Sequence, residues 1–185
     1  MAAKLVGLPT PPEPLKHTEF PSQHWQDLAA DLMVPLPSGE YVLVVVDNYS
    51  RYFEVDILKS VTSATIIGSL ERILSTHGRP QSLKTDNGPQ FTSEEIGTFL
   101  KTNGIQHRTS TPLWPQANGE VERQNRSLLK ALKIARAEKK NLKVERRNFL
   151  TAYRTTSDSS TGVSPAKLLF NRETRSKIPE LTKCE

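Results

Sequence analysis

The sequence predicts an α/β fold, a five-stranded mixed sheet flanked by helices. Three observations predict it. Residues 41–47 form an almost wholly apolar, β-branched run, the pattern of a strand buried on both faces. Ile66, Ile67, Leu70, Ile73 and Leu74 recur at helix spacing. The predicted order, βββ-α-β-α-β followed by helices, suits a mixed sheet with helices packed on it.

The signals begin at Trp25. Residues 25–34 mix apolar and polar side chains and stop at Pro35 and Pro37, so they read as a strand followed by the turn Pro37-Ser38-Gly39. The buried strand at 41–47 comes next, and Asn48-Tyr49-Ser50 turns the chain. Residues 52–58 alternate Phe53, Val55 and Ile57 against Tyr52, Glu54 and Asp56, which predicts a third strand and an antiparallel meander. A helix over 62–76 is stopped by Gly78-Arg79-Pro80. A short strand at 82–85 runs into the turn Asp86-Asn87-Gly88-Pro89. Ser93 caps a helix reaching about Thr102, with Glu94 and Glu95 in its first turn and Ile96, Phe99 and Leu100 inward. Residues 105–108 make a fifth strand.

Residues 109–119 read as a loop, because Pro112 and Pro115 forbid regular structure. One long helix follows from Glu120 to about Lys140, with Val121, Leu128, Leu132 and Ala135 on its apolar side. Two shorter helices are expected over 144–153 and 165–169. Residues 1–22 carry Pro9, Pro11, Pro12, Pro14 and Pro21 and read as a proline-rich linker or tail. The expected domain spans 23–180, with a tail at 181–185.

The chain has 185 residues, one cysteine (Cys184) and a net charge of +5. A single cysteine excludes an internal disulfide and a cysteine zinc knuckle, so zinc is not expected. The longest apolar run, 42–46, falls far short of the ~20 residues that span a bilayer, and no membrane partner is expected. The charge is local: residues 120–154 hold eleven basic and four acidic residues, while the remaining chain nets −2. That asymmetry fits either a solvated helix surface or a nucleic-acid face.

Three carboxylates stand out. Asp31 lies in the first strand, Asp86 at the end of the fourth, and Glu122 in the first turn of the long helix. If the first and fourth strands are neighbours, Asp31 and Asp86 meet side by side, and the helix start delivers Glu122. Clustered carboxylates repel unless a cation sits between them. A hard divalent cation such as Mg²⁺ suits oxygen ligands, and a pair of such ions supports in-line phosphoryl transfer. Taken singly, each acid also fits a structural reading, at a strand end or at a helix N-terminus.

Several stretches carry a resemblance: Trp25-Gln26 with Asp31-Leu32 and Pro35-Leu36-Pro37; Val44-Val45-Val46-Asp47 with Ser50-Arg51-Tyr52; and Thr85-Asp86-Asn87-Gly88-Pro89-Gln90-Phe91. Further on come Gly104-Ile105 with His107-Arg108, Pro112-Leu113-Trp114-Pro115-Gln116-Ala117-Asn118-Gly119-Glu120-Val121-Glu122-Arg123-Gln124-Asn125-Arg126, and Tyr153-Arg154 with Thr161-Gly162-Val163-Ser164-Pro165. Together they closely resemble the catalytic core of retroviral-type integrases, in particular those of Ty3/Gypsy long-terminal-repeat retrotransposons and host genes derived from them. Thirty-five residues separate Asp86 from Glu122, the spacing of that family's acidic triad.

The resemblance implies a ribonuclease-H-like fold, with Asp31, Asp86 and Glu122 as catalytic and metal-binding residues. It implies Mg²⁺ or Mn²⁺, two ions with DNA bound, and DNA 3′-end processing and strand transfer. It also implies a homo-oligomer working on DNA in the nucleus. Arg126, Lys130 and Lys133 are expected to contact DNA phosphates, with Asn118 and Gln116 positioning DNA ends. Asp47, Asn87, Gly88, Trp25 and Trp114 are read as structural, and His107 either touches the site or is a core or rim histidine. Val34, Leu142 and Ser157-Asp158 depart from the family pattern, which keeps open a retired core serving as a DNA-binding or scaffold protein.

Overall fold

The computed structural model describes residues 21–33, 35–36, 38–109, 119–159 and 161–175; the side chains of 119–124 are outside that description. Five strands form one mixed sheet: β1 (Asp27–Met33), β2 (Tyr41–Asp47), β3 (Phe53–Leu58), β4 (Ser82–Thr85) and β5 (Gln106–Thr109). Their order is β3-β2-β1-β4-β5. β1 and β3 run antiparallel to β2, and β4 is parallel to both β1 and β5. The helices are α1 (Ser63–His77), α2 (Glu94–Thr102), α3 (Gly119–Ala137), α4 (Leu142–Thr155) and α5 (Pro165–Phe170). The predicted architecture, a ribonuclease-H-like α/β sheet with flanking helices, is the observed one.

Each face of the sheet has its own core. Leu28, Ala30, Leu43 and Val45 pack with Ile66, Leu70, Ile96, Leu100 and Leu169, from α1, α2 and α5. Met33, Val42, Val44, Val46, Phe53 and Val55 pack with Leu128, Leu132 and Leu150, from α3 and α4. Covering both faces explains why β2 is apolar at nearly every position. Period-two alternation along β1 then puts Asp31 on the same face as Met33, toward α3.

Several boundaries differ from expectation. Trp25 is not in β1; its φ of 60° takes it out of extended geometry. Its indole N–H instead donates to the Gly78 carbonyl at 2.9 Å, and its ring lies against His77 with centroids 4.4 Å apart. α4 begins at Leu142 because Asn141 caps it, accepting from the Lys143 and Val144 N–H groups. α3 ends at Ala137 rather than near Lys140. There Lys139 adopts φ 54°, and the Lys140 N–H closes on the Ala135 carbonyl at 2.8 Å. This termination normally uses glycine, and a side chain in the left-handed region costs about 1–2 kcal/mol. Lys139→Gly is therefore expected to stabilise the protein by about 0.5–1 kcal/mol after the extra chain entropy of glycine. A lower melting temperature in calorimetry would contradict that account.

α4 also closes an edge of the sheet. The carbonyls of Arg51, Phe53 and Val55 sit at alternate positions. They accept from Tyr153 Oη (3.2 Å), Arg154 Nη2 (2.7 Å) and Arg146 Nη1 (3.1 Å). The same arginines pair with acids of β3: Arg154 with Glu54 at 2.9 Å and Arg146 with Asp56 at 3.4 Å. Part of the basic excess of residues 120–154 is thus spent on the fold, blunting an otherwise open strand.

Candidate active site

β1 and β4 are parallel neighbours, in register at Asp27↔Ser82, Leu28↔Leu83 and Ala29↔Lys84. Two further steps along that register bring Asp31 level with Asp86. Both carboxylates therefore stand near the carboxyl ends of adjacent parallel strands, where α/β sheets place their ligands. Paired strands lie about 4.8 Å apart, and the two acids each follow the last β1–β4 pair by two residues.

Each carboxylate is held by a neighbour. Asp31 is half-buried, and its Oδ2 accepts from Asn125 Nδ2 at 3.0 Å. Asp86 is exposed, and its Oδ1 accepts the Gly88 N–H at 3.0 Å, an Asx-type turn that orients the carboxylate. The predicted structural roles of Asn87 and Gly88 agree with that turn as far as Gly88 is concerned. Behind Asp86, Thr85 Oγ1 donates to the Asp86 carbonyl at 2.9 Å and also meets His107 Nε2 at 2.9 Å. Burial holds the His107 imidazole below the usual histidine range.

Asn125 is the residue that pattern reading overlooked. It is 7% exposed, and it sits on the α3 face that also buries Leu128, Leu132 and Ala135. Its signal was present: 125, 128, 132 and 135 follow one helical stripe, and a polar amide in an apolar stripe needs a polar partner. Asp31 is that partner. Position 122 lies three residues earlier, at the spacing that shares a helix face. The backbone of α3 thus brings the Glu122 position to the side of the sheet that carries Asp31; the Glu122 side chain lies outside the described residues. Asn125→Ala is expected to cost about 1–2 kcal/mol in denaturant unfolding, the effect of one lost hydrogen bond to a charged group. Unchanged stability would mean that Asp31 needs no such restraint.

The other predicted residues are distributed as follows. Arg126, Lys130 and Lys133 are exposed along α3, on one face by their i, i+4, i+7 spacing. Gln116, Asn118 and Trp114 lie outside the described residues, as do the segments 1–20 and 176–185. Asp47 is fully buried and accepts from Ser50 Oγ (2.5 Å), Ser50 N–H (3.1 Å) and Tyr49 N–H (3.3 Å). It is a turn-holding residue, as expected, with its charge spent on those donors.

Among the described residues, no three His, Cys, Asp or Glu side chains gather in one place. The donors at the Asp31–Asp86 edge are carboxylate oxygens, which fit a hard divalent cation. The nearby imidazole nitrogen, His107 Nε2, is engaged by Thr85.

Residues 19–115 match the family model described as integrase core domain. The chain belongs to the integrase core domain family. An uncharacterized protein of Caenorhabditis elegans is 34% identical over 182 residues, covering 91% of this chain and 14% of that protein. The Pol polyprotein of Radiation murine leukemia virus (strain Kaplan) is 34% identical over 113 residues, covering 60% of this chain and 19% of the polyprotein. The integrase core thus spans less than a fifth of each. Among solved structures, the simian T-cell lymphotropic virus intasome gives a TM-score of 0.75 at 21% identity, covering 96% of this chain and 64% of that one. The HTLV-2 integrase catalytic core domain in complex with magnesium gives 0.68 at 23% identity, covering 80% of this chain and 98% of that one. These structures share its ribonuclease-H-like fold. Within this integrase core, no helix of the described residues is long and apolar enough to cross a membrane.

Proposed function

We propose that this chain is the catalytic core of an integrase that carries out metal-dependent polynucleotidyl transfer on DNA. The observation that supports the reading is the β1–β4 register, which runs toward Asp31 and Asp86, together with the Asn125–Asp31 hydrogen bond that ties α3 to β1. The motif around Asp86 and the run from Pro112 to Arg126 support a Ty3/Gypsy-type origin or a host gene derived from one.

In the proposed first step, a water oxygen bonds to a phosphorus near the end of the element's DNA. The P–O3′ bond breaks and leaves a 3′-hydroxyl. In the second step that hydroxyl attacks a phosphorus of target DNA and displaces the target's own 3′-oxygen. Both steps are displacements at a phosphodiester, so one site serves both. Asp31, Asp86 and Glu122 would hold Mg²⁺ or Mn²⁺, one ion or two. When bound, such ions activate the attacking oxygen and stabilise the leaving one.

The remaining residues bind and orient. Asn125 keeps Asp31 aimed at the site, and the Gly88 N–H does the same for Asp86. Arg126, Lys130 and Lys133 take backbone phosphates, which position a duplex without reading its sequence. Gln116 and Asn118 orient the DNA end. Residues 23–180 are taken as the core; the linker or tail at 1–22 and the tail at 181–185 fall almost wholly outside the described residues. The core works as part of a homo-oligomer on DNA, in the nucleus.

The test is cleavage or reversal of strand transfer on a labelled branched or element-end DNA with Mn²⁺, for the wild type beside Glu122→Gln. Product that depends on both Mn²⁺ and Glu122 is expected. Equal metal-independent background in both would leave a DNA-binding or scaffold core. DNA affinity should fall with rising salt, and the slope should flatten when Arg126 and Lys130 are neutralised.

A further inference from the structure

We propose that His107 is a positioning residue for the transfer reaction, acting through the Thr85 hydroxyl to hold the backbone at Asp86. It rests on the reading of Asp86 as a ligand for the catalytic cation. The last β4–β5 pair is Thr85↔Thr109, and the last β1–β4 pair is Ala29↔Lys84. Asp86 therefore stands just beyond the ladder, where strand pairing no longer orients its peptide. The Thr85 hydroxyl takes over that task, donating to the Asp86 carbonyl at 2.9 Å.

The hydrogen-bond inventory assigns the direction of the chain. A carbonyl only accepts, so the single hydroxyl proton of Thr85 is committed to Asp86. His107 Nε2, 2.9 Å from the same oxygen, must then be the donor. That requires a proton on Nε2, so the neutral ring is the Nε2–H tautomer with Nδ1 bare. The chain runs His107 Nε2–H to Thr85 Oγ1–H to the Asp86 carbonyl, while the Gly88 N–H holds the Asp86 carboxylate from the other side. Thr85 is 2% exposed, so water does not readily replace either partner of its hydroxyl. β5 supplies His107 from the register position opposite Leu83, and the ring reaches two residues along β4 to Thr85.

A packing role for His107 predicts loss on any change of shape. The positioning role predicts that a donor rescues and an apolar replacement does not. His107→Gln keeps an N–H₂ donor of similar reach, and His107→Leu removes it. Thr85→Ser keeps the hydroxyl, and Thr85→Val keeps the shape without it.

The experiment uses the full chain and three readouts. Imidazole ¹⁵N shifts, assigned by the resonance that disappears in His107→Leu, are expected to show Nε2–H at neutral pH; an Nδ1–H tautomer overturns the proposal. Mn²⁺ binding followed by electron paramagnetic resonance is expected to weaken about tenfold in His107→Leu and Thr85→Val, and to return to within about threefold of wild type in His107→Gln and Thr85→Ser. Turnover on the labelled DNA should follow the same order, as a loss in kcat with KM for DNA within about twofold. Wild-type Mn²⁺ affinity in His107→Leu, or loss without rescue in His107→Gln, overturns the proposal. A wild-type protein that binds Mn²⁺ with this pattern of variants but turns over no DNA sinks the transfer reading and leaves the His107 assignment standing.

Discussion

Replacing Asp31 with asparagine is expected to lower Mn²⁺-dependent DNA cleavage by about a thousandfold, since a cation site supplies several kcal/mol of transition-state stabilisation. The fold should survive. Asp31 is half-buried toward the end of β1, and Asn125 Nδ2 donates to its carboxylate at 3.0 Å. An asparagine side chain there still presents an oxygen to Asn125. Asp31→Asn should leave the metal-free melting temperature little changed. The wild type should gain stability as Mn²⁺ is added, by RT ln(1 + [Mn²⁺]/Kd), and the variant should gain much less. Equal metal-dependent shifts in the two proteins would show that Asp31 does not hold the ion.

The second large effect is on stability. Arg154→Leu is expected to cost about 2–4 kcal/mol, somewhat below a fully buried ion pair because both partners keep a little exposure. Arg154 donates to the Phe53 carbonyl at 2.7 Å and pairs with Glu54 at 2.9 Å, and its guanidinium lies 4.2 Å from the centre of the Tyr52 ring. Burial pushes the Tyr52 hydroxyl up to about 12. Leucine would leave an unpaired strand carbonyl and strip Glu54 of its permanent cation. Denaturant unfolding measures the loss; a change under about 0.5 kcal/mol would mean that the edge does not need its cap.

Glu54 gives that corner a pH signature. Burial acts to raise its pKa, but the hydrogen bond from His77 at 2.9 Å and the charge of Arg154 outweigh it and hold the carboxyl below its ordinary 4.5. A depressed folded-state value means that the carboxylate stabilises the fold above the unfolded value. That contribution disappears as pH falls through the folded one. The stability gap between wild type and Glu54→Gln should therefore be full at neutral pH and close progressively below about 4.5. A gap that persists at pH 3 would assign the effect to shape rather than charge.

Local pattern was enough for most of the architecture. β2 was legible because both of its faces are covered, and Ser93 marked the start of α2 by accepting the Ile96 N–H. The three acids stood out as a possible cluster, but each taken singly also fitted a structural place, and it was the family resemblance that joined them. Where the reading slipped, the cause was a residue that answers to a distant partner. Trp25 left its strand to bond Gly78, fifty-three positions away. Arg146 and Arg154 read as part of a basic face, yet they are spent on β3 across about ninety and a hundred positions.

By itself, the sequence determined the element order and the apolar faces, because periodicity and turn chemistry act over a few residues. Only the tertiary structure decided which strands are neighbours, and hence that Asp31 stands level with Asp86. It alone revealed that Asn125 serves Asp31 and that His107 reaches Asp86 through Thr85. Those facts depend on sheet order and register, which are set by burying two apolar faces at once and leave no mark within any single stretch of chain.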